Sequence, residues 1–257
     1  MRKVGILLGA GAVFFALVGL AIASVTPTVS YTSPIKQKAK PKTGKPANIQ
    51  YTGILDVKNS DGTQPDSAPT TEIYFAKQIK NNAKHFPSCK ASQIDGKASI
   101  PAACKKAIVG KGTAASQAGT PGQPAAINEP LTVTAVNGNK GKQILLVLNA
   151  STPVAVQNRV IPGTLGRASG KWGYKVTFKV PPDLQQQLGL QISLTHFNVV
   201  FGTSKTAKVA GRKASYLQLT KCPSNKTLPV RAIVHFNNDA GQPGGPTVPS
   251  DTTTSCK

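Results

Sequence analysis

The sequence is poor in the groups that carry acid/base or metal chemistry. Its 257 residues include nine Asp and Glu and three His, the side chains on which general acid/base catalysis and metal binding mostly depend. The histidines lie far apart, at positions 85, 196 and 235, and no two of the four cysteines form a C-x-x-C pair. Most hydrolase, oxidoreductase and metalloenzyme functions are therefore disfavoured. The sequence predicts a non-enzymatic protein with no cofactor, metal site or recognisable catalytic residue.

Acidic residues are scarce, but basic residues are abundant. There are 31 Lys and Arg, and the formal net charge is +22. With 39% hydrophobic and 16% charged residues, the chain has the composition of a folded protein rather than a disordered one. The lysines are spread along the chain rather than set among aromatic residues, so any binding to nucleic acid is expected to be weak, nonspecific and sensitive to salt. No specific nucleic-acid partner is predicted.

The chain begins with a segment typical of exported proteins. Two basic residues precede an uncharged apolar run over Val4–Ala23, as in a secretory signal peptide. Ala21 and Ala23 match the small-x-small pattern cut by signal peptidase, which predicts a mature chain that starts at Ser24. About 20 apolar residues would also suffice for an uncleaved anchor. Residues 1–23 are thus predicted to be a signal peptide or membrane anchor, and the rest to be extracytoplasmic, either secreted or tethered to the outer face of the cytoplasmic membrane.

Residues 24–47 are rich in Pro and Lys and have no apolar periodicity. This composition predicts a solvated basic tether that is stiffened by proline and extended by like charges. The alternative is a cationic arm attracted to anionic cell-wall polymer or lipid headgroups. The partner-binding lysines of that arm are Lys36, Lys38, Lys40, Lys42 and Lys45.

From Ile49 onward the apolar residues alternate with a period of two, which indicates half-buried strands. The candidate strands cover residues 49–57, 70–79, 106–114, 131–136, 143–149, 154–161, 174–180, 190–202, 214–221 and 228–236. The alternation changes phase near Thr195, which predicts a one-residue bulge there. Only residues 182–188 have a helical pattern, of about two turns. About ten short strands separated by turns predict an all-β antiparallel sandwich over residues 48–257, as a single domain with an alternative boundary near 119–130.

Four cysteines beyond an export signal indicate two disulfides. Three pairings exist for four cysteines, and we favour the sequential one, Cys89 with Cys104 and Cys222 with Cys256. The first pair brackets a short segment that we expect to clasp beneath the 106–114 strand. The second would close a hairpin whose arms are the 228–236 strand and a Thr/Val-rich return arm, residues 247–255.

The cysteine-containing segments resemble a family of uncharacterised secreted proteins of actinobacteria. Residues 85–94 and 103–114 are similar to that family's block F-P-x-C-x-A-x-x-(I/L) … A-C-P-x-x-x-x-V-G-x-G-x-A, and residues 194–199 and the ending from Lys221 to Lys257 are similar to its later blocks. This chain departs from the block at Lys105, where the family has Pro. The resemblance implies a secreted all-β protein with the same two disulfides, and it implies no activity.

Few residues are candidates for a binding or catalytic site. Trp172 and Tyr174 are two apart, so we expect them to share one strand face, where they would either stack against a sugar ring or base or anchor the core. The G-x-G-x-x-A match at residues 110–115 lacks a following helix and is interpreted as part of a strand. The three histidines, with Asp183 or Asp239 as orienting carboxylate, match no local catalytic motif.

These observations favour a non-enzymatic extracytoplasmic protein that binds or decorates the cell envelope. The alternative is an enzyme that processes envelope carbohydrate or polymer through a site without a recognisable motif. A pair of carboxylates converging in a cleft would favour the enzyme.

Overall fold

The computed structural model describes residues 25–187, 189–202, 205–238 and 240–257. The predicted signal peptide or anchor, residues 1–23, lies outside the described residues. Within the described ranges, no helix has both the length and the apolar character that crossing a bilayer requires.

The described residues form strands joined by short turns. In chain order the strands are β1 (Thr28–Thr32), β2 (Ile35–Gln37), β3 (Ala47–Lys58), β4 (Thr70–Ala76), β5 (Ile79–Asn81), β6 (Ile108–Gly119), β7 (Ile127–Gly138), β8 (Gln143–Ala150), β9 (Val156–Arg167), β10 (Trp172–Lys179), β11 (Gln186–Gln187), β12 (Leu190–Phe201), β13 (Thr206–Val209), β14 (Arg212–Ser215), β15 (Leu217–Leu219), β16 (Thr227–Asn237) and β17 (Pro243–Ser255). The helical elements are 3-10 turns at Ala83–His85, Ala91–Gln93, Asn139–Gly141 and Pro182–Leu184 and the single α-helical turn α1 (Ala102–Lys105).

One antiparallel sheet contains fifteen of these strands. Its order is β17-β16-β4-β10-β9-β8-β7-β6-β12-β3-β15-β5, with β1 and β2 also paired to β3 and β11 paired to β12. Strands β13 and β14 form a separate hairpin. The all-β antiparallel fold expected from the period-two alternation is therefore confirmed. Two predicted runs divide, since the 70–79 run becomes β4 and β5 and the 214–221 run becomes β14 and β15.

The sheet curls so that β1, the first strand of the chain, lies beside β17, the last, and its two halves face each other across a common core. Strand β1 pairs with β3 and also lies against β17, where the Tyr31 backbone N–H donates to the Ser250 hydroxyl over 2.9 Å. Beneath this junction, Tyr31 and Leu55 pack against Val234 of β16. This apolar contact joins the β1–β3 part of the sheet to the β16–β17 end and closes one side of the sandwich.

The prediction of a solvated tether over residues 24–47 is wrong for residues 28–37. Those residues form β1 and β2, which pair with β3 along its length, and Tyr31 is only 3% exposed. The apolar alternation here consists of little more than Val29 and Tyr31 between two prolines. A pattern this short does not indicate a strand by itself, and the pairing comes from the long neighbouring strand β3.

Local details of the strand prediction are confirmed at two places. The register of β12 shifts between Leu194 and His196, where the change of phase predicts a bulge. Strands β16 and β17 form the expected C-terminal hairpin, paired from Thr227↔Ser255 onward.

The helix predicted over residues 182–188 is wrong. Pro182–Leu184 make one 3-10 turn and β11 follows, because a strand edge at β12 is available to pair with this segment.

Residues 119–130, the alternative domain boundary, span the turn of the β6–β7 hairpin. Strands from before and after this segment pair with each other, from Ile108↔Val136 to Ala118↔Ile127.

Candidate functional site

Both predicted disulfides are present. The Cα atoms of Cys89 and Cys104 lie 5.5 Å apart, and those of Cys222 and Cys256 lie 5.7 Å apart, within the range for such bonds. The second bond joins the segment before β16 to the end of β17, as the hairpin predicts. The first bond lies against the start of the predicted 106–114 strand, since Cys89 and Cys104 share an apolar cluster with Ala107 and Ile108. The cluster also includes side chains of β7, β8 and β9, and Ile94 is fully buried in it.

Trp172 and Tyr174 do not share a strand face. The β10–β4 register shifts between them. The intervening Gly173 lies so close to the backbone just after β4 that an added Cβ would be 3.0 Å from the Lys77 Cα. Tyr174 therefore points into the sandwich and stacks on Phe75, with ring centroids 4.6 Å apart. Trp172 points outward and packs on Tyr74, with centroids 5.6 Å apart.

Charged side chains cover the outward ring of Trp172. The Lys171 amine lies 5.0 Å and the Arg231 guanidinium 5.6 Å from the ring centroid, and the indole is only 9% exposed. The Arg231 guanidinium donates two hydrogen bonds to the Asp251 carboxylate, at 2.8 and 2.7 Å. The ring thus already has cation–π partners, and little of its face is open to a sugar or base.

A carboxylate lies at the centre of this outer surface. Glu72 accepts hydrogen bonds from the Tyr74 hydroxyl at 2.7 Å, from the Lys175 amine and from the Thr177 hydroxyl. Burial opposes the ionisation of Glu72, but these three donors outweigh it and lower its pKa. Glu72 is thus an ionised structural partner of Lys175 rather than a proton donor.

Among the described residues, the side chains of His196 and His235 have different partners. His196 Nδ1 lies 2.7 Å from Asp56 Oδ1 in an exposed pair, and His235 Nδ1 lies 3.1 Å from the Thr247 hydroxyl. Asp183, a predicted orienting residue, instead binds Arg159, and Asp239 lies outside the described residues. Over the described ranges, His, Cys, Asp and Glu side chains form no group of three that would hold a metal ion.

The lysines of the predicted arm lie on a folded surface. We call this surface the basic edge and define it by exposed lysines of the β2–β3 hairpin and the C-terminal disulfide region: Lys36, Lys38, Lys40, Lys42, Lys45, Lys221 and Lys257. Backbone hydrogen bonds in both directions between Lys42 and Lys45, at 3.1 and 2.8 Å, close the hairpin loop. The Arg212 guanidinium donates to the Gly44 carbonyl at 3.0 Å and fixes the loop to β14.

The C-terminus is attached to the same edge. The Lys257 backbone N–H donates to Gln37 Oε1 at 2.6 Å, and Gln37 Nε2 donates to the Lys257 carbonyl at 3.2 Å. Four lysines, at positions 40, 42, 221 and 257, therefore surround one shallow cleft beside the Cys222–Cys256 bond. Among the residues described, no Asp or Glu lines this cleft or the adjoining one beside Lys36 and Lys38.

The interior contains a feature that the sequence does not indicate. Two cavities, of about 100 and 160 Å³, lie between the halves of the sheet. They share a wall of six side chains, namely Thr71, Leu131, Leu148, Ile161, Val180 and Leu194. The two cavities therefore adjoin, and their linings are almost entirely apolar.

Tyrosines surround the cavity of about 100 Å³, which we call the inner cavity. The cavity of about 160 Å³ is called the outer cavity. The hydroxyls of Tyr31 and Tyr51 lie 2.9 Å apart and hydrogen bond to each other, and the Tyr216 hydroxyl donates to Asn137 Oδ1 at 3.1 Å. The buried Tyr174 hydroxyl has no hydrogen-bond partner within the described part of the chain. Burial raises the pKa of all four phenols, that of Tyr51 to about 12.

Comparisons with protein families, with curated proteins and with solved structures find no match to this chain. The resemblance to the actinobacterial secreted family remains a hypothesis that rests on the cysteine-containing segments.

Proposed function

We propose that this is a non-enzymatic extracytoplasmic protein that binds anionic polymer of the cell envelope through the basic edge. The observation that carries the proposal is the cleft surrounded by Lys40, Lys42, Lys221 and Lys257. Clustered lysine amines with no Asp or Glu side chain among the described residues that line the same cleft create a local positive potential that concentrates polyanions. The two disulfides support the location, since such bonds persist in oxidising compartments outside the cytoplasm.

Folding of the arm strengthens the case for binding. Amines on a flexible tether lose conformational freedom when they engage a polymer, and that loss weakens binding. Here the loop is closed by the Lys42–Lys45 bonds and held by Arg212. The backbone positions of the lysines are therefore fixed before the polymer binds, although each side chain still has its own rotamers.

A charge-matched pair of variants tests this function. In the first variant Lys40, Lys42, Lys45 and Lys221 are changed to Gln, and in the control Lys77, Lys84, Lys97 and Lys106 are changed to Gln. All eight lysines are exposed, so both variants lose the same charge and both are expected to fold. Binding to isolated cell walls is measured by co-sedimentation across a salt series.

We expect the basic-edge variant to lose at least tenfold in affinity and to show a weaker dependence on salt, because fewer counterions are released. The control is expected to change by less than about threefold. Equal losses in the two variants would show that only net charge matters and would refute the proposed site. Tighter binding to anionic lipid vesicles than to walls would assign the edge to headgroups. Release of soluble wall fragments would favour the polymer-processing enzyme.

A further inference from the structure

The two interior cavities carry an inference that is independent of the basic edge. We infer that together they form one binding site for an amphipathic molecule with a hydrocarbon chain and a hydroxyl head group. Protein interiors are normally packed as densely as organic crystals, with few voids larger than a water molecule. Adjoining cavities of about 100 and 160 Å³ are well above that size, and they extend from the aromatic core towards one end of the sheet.

The walls indicate the chemistry of the chain portion. The inner cavity is lined by aromatic and aliphatic side chains, including Phe75, Phe178 and Phe197. The outer cavity continues this surface with aliphatic side chains, including Ile127, Val156 and Ile192. Apolar cavities stay dry and accept apolar ligands. A hydrocarbon chain therefore fits along both cavities, whereas a sugar or a nucleotide would lose its hydrogen bonds to water.

Glu129 indicates the chemistry of the head group. This glutamate is 6% exposed and lines the outer cavity. One carboxylate oxygen accepts a hydrogen bond from the Val154 backbone N–H at 2.9 Å, and the other has no partner among the residues that the structure describes. A buried acceptor without a donor is costly. A ligand hydroxyl would supply that donor, whereas a fatty acid carboxylate would be repelled by the like charge.

The surroundings of Glu129 leave room for this contact. Ser116 lies opposite Glu129 in the β6–β7 register and lines the same cavity. A ligand head group at Glu129 would therefore also be close to the Ser116 hydroxyl. The half-buried Gln187 and Leu190 also line this cavity. A ligand would place its head group at Glu129 and its chain among the apolar side chains of the inner cavity.

A dye displacement assay tests the site. Binding of N-phenyl-1-naphthylamine is followed by its fluorescence, and 1-dodecanol, 1-monododecanoylglycerol and dodecanoate compete with it. We expect both hydroxyl compounds to displace the dye at least tenfold more effectively than dodecanoate. The more effective of the two tells a simple alcohol from a glyceride head group. Displacement by dodecanoate at the same concentration as 1-dodecanol would overturn the role of Glu129.

Two variants locate the effect. Ala118→Phe places a ring in the outer cavity, whereas Ala115→Phe makes the same change on the opposite face of β6 and serves as the control. Only the first is expected to weaken dye binding, by at least tenfold. Glu129→Gln keeps the side-chain size and is expected to abolish the preference for 1-dodecanol over dodecanoate. Thermal unfolding of each variant verifies folding.

Unchanged dye binding in folded Ala118→Phe, or an unchanged preference in Glu129→Gln, would refute the inference. The basic-edge variant is expected to bind the dye as the parent protein does, so failure of this site is distinguishable from failure of the polymer-binding function.

Discussion

Asn137 is expected to be one of the most sensitive positions in the molecule. Its side chain is fully buried, and its amide nitrogen lies 2.9 to 3.2 Å from the carbonyls of Ala83, Phe86 and Pro87. Its side-chain oxygen accepts the Tyr216 hydroxyl. The residue thus joins the loop before the first disulfide to the core of the sandwich.

Asn137→Ala would leave two or three buried polar groups without partners, at about 1–3 kcal/mol each. We therefore expect the free energy of unfolding to fall by about 4 kcal/mol, measured by urea denaturation. Tyr216→Phe removes one of the same bonds and is expected to cost about 1–2 kcal/mol in the parent protein and close to zero in the Asn137→Ala background. Asn128, an exposed amide bonded to Gln117, supplies the control: its change to Ala is expected to cost less than about 0.5 kcal/mol.

A loss below about 1.5 kcal/mol for Asn137→Ala, or additive effects of Asn137→Ala and Tyr216→Phe, would refute this reasoning. Either result would mean that water or a rearranged loop satisfies these groups after the change.

Three further outcomes are expected. Replacing Cys222 and Cys256 with Ala removes a crosslink between residues 34 apart and should lower the free energy of unfolding by about 4 kcal/mol on the chain-entropy account; an unchanged urea midpoint would contradict this. Burial raises the pKa of Tyr51 to about 12, so the stability that comes from keeping this phenol neutral is complete below about pH 10 and is lost as the pH rises through the folded-state value. Phenolate absorbance near pH 10 that is present in the folded parent protein and absent from folded Tyr51→Phe would contradict the buried placement. Hydrogen bonds lower the pKa of Glu72. Its contribution to the free energy of unfolding is therefore present above the ordinary glutamate pKa and is lost as the pH falls through the lower folded-state value. Glu72→Gln should reduce the acid dependence of thermal unfolding, and an identical pH profile would exclude the proposed role.

The strands that the sequence predicts well are those with long alternation. In β12 the apolar residues change phase once, and a single bulge is the only local change that keeps both halves facing the core, so Thr195 was identifiable. Strand β16 is similarly clear, because Val230, Ala232 and Val234 are all buried on one side.

Features that depend on distant contacts were not predictable. The spacing of Trp172 and Tyr174 implies that they share one strand face. The close approach of the Lys77 backbone to Gly173 coincides with a bulge, which turns the two side chains to opposite faces. The sequence does not predict the cavities, because the apolar alternation indicates which side chains point inward but not how far apart the facing halves of the sheet lie. Glu129 carried no signal in the sequence, since its significance comes from one unpartnered oxygen beside those cavities.

The contact between β1 and β17 also has a consequence for the order in which the chain can fold. Tyr31 and Ser250, which hydrogen bond across this junction, are 219 positions apart, and a ribosome makes the first strand long before the last. The N-terminal strand can pair with β3 early, but its outer side stays open until residues 243–255 have been synthesised. Such long-range closure slows folding. A chain that stops before β17 therefore exposes β1, at the opposite end of the sequence, and two distant ends share one folding step.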